Sequence, residues 1–261
     1  MGHGKGRDNL AAEVALEFLV QGNARFSNNL RSVKRQPTPE LVMGLAQKGQ
    51  KPFCVILTDS DSRMPVEIIF DRGLGELFVV RTLGSLVDPC VIASIEYAVV
   101  SFDVQLLVIL GNSLSGAIRM TIDNEDKKGA TLSPLVHATV ERVRPSLARA
   151  RLSLQTFGPL GDRSSMRDKV FNLTSSMIAQ ESEQHILKTS SLVADRIEDG
   201  TLDIVTGVYG LASGIATLKI KPSLLSRMKK ERIFSEVNSY EKKVSEITGT
   251  AASRVSRKHA S

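Results

Sequence analysis

Three short apolar runs constrain this chain more than any other feature: FCVIL at 53–57, FVV at 78–80 and QLLVIL at 105–110. Each has the length of a buried strand, and helical signals fill the segments between them, so the runs read as parallel strands joined by crossovers in one sheet. Asp88 and Pro89 open one such segment, VIASIEYAVV. Further on, LDIVTGVY and IATLKI flank LASG, which reads as a turn between two more strands. The expected class is α/β, with a largely parallel central sheet flanked by helices. In open sheets of this kind ligands collect at the carboxyl ends of strands. Two loops rich in small oxygen-bearing side chains lie at such ends: TDSDSR (58–63) and GNSLSGA (111–117).

The other helical expectations come from spacing and caps. Leu10, Val14 and Phe18 predict a helix over 10–28. Thr38, Pro39 and Glu40 form an N-cap with proline at the first helical position, and Gly49 is the matching stop. Residues 164–199 read as mostly helical, ending at Gly200.

Charge separates the chain into two parts. From Lys219 to Ser261 there are eleven Lys and Arg against four Glu, a charge of +7, whereas residues 1–218 hold 23 basic and 24 acidic residues, a charge of −1. A near-neutral body offers no electrostatic footprint for nucleic acid. No stretch approaches the roughly 20 apolar residues a membrane helix needs. The start, MGHGKGRDNL, lacks the apolar centre of a secretory signal, so a cytoplasmic protein is expected. Cys54 in a strand and Cys90 at a helix start make no disulfide framework and read as small core residues.

Along the extended segment Thr58 to Arg63, alternate side chains share a side, so Asp59, Asp61 and Arg63 are expected to point together. A neighbouring Arg holds a carboxylate ionised, and a second carboxylate acts against that. Taken alone, the stretch reads as a salt bridge pinning the loop. The histidines bring no metal site to it. His3 and His259 lie in terminal segments, and His137 and His185 in helices distant in sequence from both loops. DNEDKKG (123–129) lacks the spacing and closing glutamate of a calcium loop and reads as a solvated turn.

Taken together, DSDSRMPVEIIFDRGLGELFVVR, ASIEYAV, LGNSLSGA and LDIVTGVYGLASG, with ALEFLVQGNARF before them, resemble the β-class carbonic anhydrase family from about Ala15 to Leu218. In that family the two loops read Cys-Ser-Asp-Ser-Arg and Gly-His-Ser-x-Cys-Gly. The resemblance therefore puts Asp59, Asn112 and Ser115 at the zinc-ligand positions, with Gly116 following, and puts Asp61 and Arg63 at the catalytic dyad. It also shows a departure at RTLGS (81–85), where Thr82, Leu83 and Ser85 replace the usual residues and Leu83 is expected to take up pocket volume.

The resemblance implies a β-carbonic-anhydrase-like domain over 1–220, followed by a basic helical C-terminal extension over 221–261. It implies a homodimer or homotetramer in which the N-terminal helix embraces a neighbour. Because Asn and Ser are weak, neutral donors, no zinc cofactor is expected. The four oxygen donors Asp59, Asp61, Asn112 and Ser115 would suit a hard cation, but Arg63 argues against one. The function expected is a pseudoenzyme with a binding, regulatory or assembly role, its ligand a small anion such as bicarbonate. The alternative is a zinc-independent carbonic anhydrase, or a related lyase or hydrolase, in which Asp59 or Asp61 acts as general base and Arg63 stabilises the anion formed.

In the extension, Ile233, Val237, Tyr240, Val244 and Ile247 make an a/d stripe flanked by lysines and ended by Gly249. It reads as a helix packing on its own body or on a sister subunit, ahead of a docking site for a protein partner or a membrane surface. The last dozen residues are expected to be disordered.

Overall fold

The computed structural model describes residues 9–31, 37–126, 131–156 and 163–228. The apolar runs become β1 (Cys54–Asp59), β2 (Leu77–Thr82) and β3 (Leu106–Asn112), joined by β4 (Asp203–Gly210) and β5 (Ile215–Lys219). The sheet order is β2-β1-β3-β4-β5. The first four strands are parallel, and β5 returns antiparallel beside β4 through the LASG turn. Every residue of β1 and β3 is buried, because these two central strands have a neighbour on each edge and helices on both faces.

Alternate residues of each strand feed opposite layers. On one face Ile56, Val108, Leu110 and Val205 meet Val14, Leu16, Phe18 and Leu19 of α1 (Ala12–Ser27). The short α3 (Val66–Ile69) belongs to the same cluster. On the other face Val55, Leu57, Leu107, Ile109 and Ile204 meet Ile95 and Val99 of α4 (Pro89–Phe102), together with Ile186 and Val193 of two later helices, α7 (Arg163–Thr189) and α8 (Ser191–Glu198). The expected caps form: Thr38 accepts a hydrogen bond from the Leu41 amide at 3.2 Å at the head of α2 (Pro39–Lys48), and Asp88 accepts from Val91 at 2.9 Å at the head of α4.

One helix goes beyond the sequence expectations, α5 (Gly116–Glu125), and the helix expected around His137 is α6 (Pro134–Thr156). Asp123, Asn124 and Glu125 form the last turn of α5, not a solvated turn. Pro145 lies inside α6 on its exposed side, while Val140, Val143, Leu147 and Ala150 are buried at helical spacing. Cys54 is buried, and burial pushes its thiol well above the ordinary range. Cys90, expected in the core, is exposed. His137 and His185 are exposed on α6 and α7.

The body extends past the boundary expected at residue 220. In α9 (Pro222–Met228) Leu224 is fully buried against the α1 layer, and Arg227 Nε donates to Glu13 at 3.2 Å while its Nη2 bonds Asp203. The 220/221 division therefore falls within one packed unit. The a/d stripe of residues 233–247 and the basic end lie outside the described residues. Among the described residues, no helix is long and apolar enough to cross a membrane.

Candidate functional site

From β1 the chain crosses to β2 on one side, and from β3 it continues to β4 on the other, so the ends of β1 and β3 form the point where the sheet order switches. Thr58 and Leu110 are register partners there, and the Thr58 hydroxyl donates to the Leu110 carbonyl at 2.9 Å. Both oxygen-rich loops leave from this point, which brings together side chains more than fifty residues apart in the chain.

Asp59, the last residue of β1, is 1% exposed. Its Oδ2 accepts from Ser115 Oγ at 2.7 Å, and its Oδ1 accepts from the backbone amides of Asp61 at 3.2 Å and Gly84 at 3.3 Å. Asp61 has left the strand. Its Oδ1 accepts from the Arg63 amide and from Arg63 Nε, both at 2.9 Å, and its Oδ2 accepts from Arg63 Nη2 at 2.6 Å and Asn112 Nδ2 at 3.0 Å. The guanidinium of Arg63, through its hydrogen bonds above all, holds the Asp61 carboxyl below the usual carboxylate range. The same partner raises Arg63 further above its ordinary value. Arg63 Nη2 also reaches the Leu114 carbonyl at 3.3 Å.

Asp59, Asp61 and Arg63 all meet the β3 loop, at Ser115, Asn112 and the Leu114 carbonyl respectively, but not by continued strand alternation. Strand geometry stops at Asp59 because the Asp61 carboxylate captures the amide two residues on and turns the chain. Asp61 and Arg63 then pair in the turn, and Asp59 is left to meet Ser115. The Arg63 side chain is 55% exposed and that of Asp61 12%. Leu83, expected to fill a pocket, is 36% exposed on the 3-10 turn Leu83–Ser85. Gly116 opens α5 with free space where a Cβ would stand. Ser115 is the N-cap residue of α5, yet its hydroxyl goes to Asp59 instead of the helix amides.

Three supporting residues escaped the sequence reading. Arg81, on the edge strand β2, donates from Nε to the Asp59 carbonyl at 3.3 Å and from Nη2 to the Asp61 carbonyl at 2.5 Å. Ser175 of α7 donates to the Asn112 carbonyl at 2.5 Å, and Ser182, two turns on, donates to the Ser85 carbonyl at 3.2 Å. One helix thus backs the β3 loop and the turn after β2. The available signal was two small polar residues seven apart on the inward side of a helix, where apolar residues are the norm.

The class defined so far is an α/β protein with a mainly parallel sheet and a polar site at its switch point. The chain matches the family model for Carbonic anhydrase over residues 54–216. It is 35% identical over 213 residues to Carbonic anhydrase 2 of Mycobacterium tuberculosis, covering 79% of this chain and 92% of that protein. It is also 35% identical over 218 residues to a carbonic anhydrase of Mycolicibacterium smegmatis, with the same coverage of 79% and 92%. Among solved structures, the β-carbonic anhydrase CafA of Aspergillus fumigatus superposes with a TM-score of 0.58 at 22% identity, over 83% of this chain and 98% of that one. A tetrameric β-carbonic anhydrase of Sordaria macrospora gives 0.56 at 18% identity, over 78% and 95%. The chain belongs to the β-class carbonic anhydrase family.

Proposed function

We propose that this chain is a carbonic-anhydrase-like protein without the zinc centre, serving a binding, regulatory or assembly role as a homo-oligomer, with a small anion such as bicarbonate as its ligand. The observation that carries the proposal is the mutual hydrogen bonding of the three positions that the family resemblance assigns to the metal. Zinc takes thiolate, imidazole or carboxylate donors. Here Asp59 is the one anionic donor of the three. Ser115 directs its proton at Asp59, and Asn112 uses its amide oxygen on the Leu114 amide at 3.0 Å and its nitrogen on Asp61. These residues do not fit zinc. The tetrameric relative from Sordaria macrospora supports an oligomer.

The bidentate pair of Asp61 and Arg63 favours a second reading, zinc-independent hydration of carbon dioxide with a carboxylate as base. The energetics weigh against it. Arg63 holds Asp61 below the usual carboxylate range, which makes it a weaker base toward water, and general-base catalysis contributes only about 100- to 10,000-fold. Zinc brings the pKa of bound water to about 7. A carbon dioxide hydration assay alongside elemental analysis of the purified full chain tests the proposal. The expected result is hydration at the buffer rate and far less than one zinc per chain. One zinc per chain with hydration abolished by a chelator would refute it.

A further inference from the structure

Two strand ends and a turn converge at the switch point, and each brings buried donors that need an acceptor. Asp59 supplies it. Its carboxylate receives the Asp61 amide from its own loop, the Gly84 amide from the turn after β2, and the Ser115 hydroxyl from the head of α5. A buried carboxylate is costly unless it is hydrogen-bonded on this scale. The second link between the same two loops runs from Asn112 to Asp61. Residues that had merely drifted would leave buried polar atoms unpaired, and none of the buried side-chain atoms of Asp59, Asn112 or Ser115 lacks a partner. Ser115 gives up its usual N-cap bond to take part.

We infer that the Asp59 carboxylate, with Ser115 as its matched donor, is this chain's replacement for a metal ion as the junction holding the loops after β1, β2 and β3 together. This inference rests on the zinc-free reading above and adds what that reading leaves open, namely what closes the site in its absence. The junction is electrostatically self-contained. Asp59 and Asp61 face two guanidiniums, Arg63 on the Asp61 carboxylate and Arg81 on the carbonyls of both aspartates. A divalent cation at this point would have to break the Ser115 bond and compete with Arg63.

The test is urea unfolding of the full chain after exhaustive chelation, comparing wild type with Asp59→Ala, Ser115→Ala and the double variant. Chelation is expected to leave the wild-type midpoint unchanged, as is later addition of zinc. Each single variant should raise the unfolding constant about tenfold or more, and the double variant should fall short of the product by roughly fivefold or more. Should Asp59→Ala fail to fold, Ser115→Thr, which keeps the hydroxyl, is expected to retain wild-type stability where Ser115→Ala does not. Additive effects, or equal losses in Ser115→Thr and Ser115→Ala, would overturn the junction while leaving the zinc-free reading intact. A midpoint that falls on chelation and recovers with one zinc per chain would overturn both.

Discussion

If the family's ligand positions are correctly assigned, Asp59→Cys, Asn112→His and Ser115→Cys together should create a zinc site on this scaffold. The geometry permits it. Asp59 and Ser115 already approach to 2.7 Å through their oxygens, and Asn112 reaches Asp61 in the same loop at 3.0 Å. Two thiolates on one tetrahedral zinc, at about 2.3 Å each, sit roughly 3.8 Å apart, so the loops need only a small outward relaxation. The substitutions remove the bond between Ser115 and Asp59 and strand the Gly84 and Asp61 amides. At about 1–3 kcal/mol for each of these three interactions, the metal-free variant should lose roughly 3–9 kcal/mol. Structural zinc in four-ligand zinc-finger sites supplies about 10–16 kcal/mol at neutral pH, so even a weaker three-ligand site can offset much of that loss. The variant should therefore unfold early when chelated and recover toward the wild-type midpoint with zinc. Uptake can be followed by cobalt substitution, whose visible bands report tetrahedral thiolate ligation, and by elemental analysis. Hydration activity is a secondary readout, because the groups around the ligands were not selected to orient them. A variant that folds but takes up no metal would show that the three positions do not converge, and the assignment behind the proposed function would fall with it.

Arg63→Ala should cost only about 1 kcal/mol in urea unfolding at neutral pH, because that side chain is 55% exposed and Asp61 keeps Asn112. Asp61 is depressed in the folded chain, so its contribution is present above the unfolded value near 3.8 and lost as pH falls through the folded value; Arg63→Ala should flatten that acid limb, and an unchanged limb would contradict the pairing. Gly84→Ala should destabilise by about 1–3 kcal/mol, since φ is +71° and a Cβ would stand 2.9 Å from that of Ala117; a neutral effect in thermal melting would mean the turn relaxes freely. Deleting residues 229–261 should leave the body folded, whereas deleting from Pro222 uncovers the fully buried site of Leu224 and should lower the melting temperature; equal melting of both truncations would show that α9 adds nothing to the core.

Strands were the most legible part of the fold. β1 and β3 are buried on both faces, so residues 54–57 and 106–110 had to be apolar without interruption, and that requirement is visible in one dimension. The caps at Thr38 and Asp88 were equally plain, because a cap is a contact between residues three apart. α6 was harder. Pro145 breaks the local helical signal, and although Val140, Val143 and Leu147 recur at helical spacing, the helices they pack against, α5 and α7, are set by the fold. In α9 the basic composition suggested an extension, but one leucine and one arginine bind it into the body.

For the site, residue chemistry was readable and partnership was not. The sequence by itself determined that two strand-end loops carry Asp59, Asp61, Arg63, Asn112 and Ser115, and that these are acids, amides and hydroxyls instead of thiolates and imidazole. Only the tertiary structure decided that Asp59 turns to Ser115 while Asp61 turns to Arg63 and Asn112, and that Arg81, Ser175 and Ser182 stand behind them. Donor and acceptor capacity belongs to each side chain alone, but which donor meets which acceptor depends on the register of β1 against β3 and on where the strand stops, and both are set by packing between segments far apart in the chain.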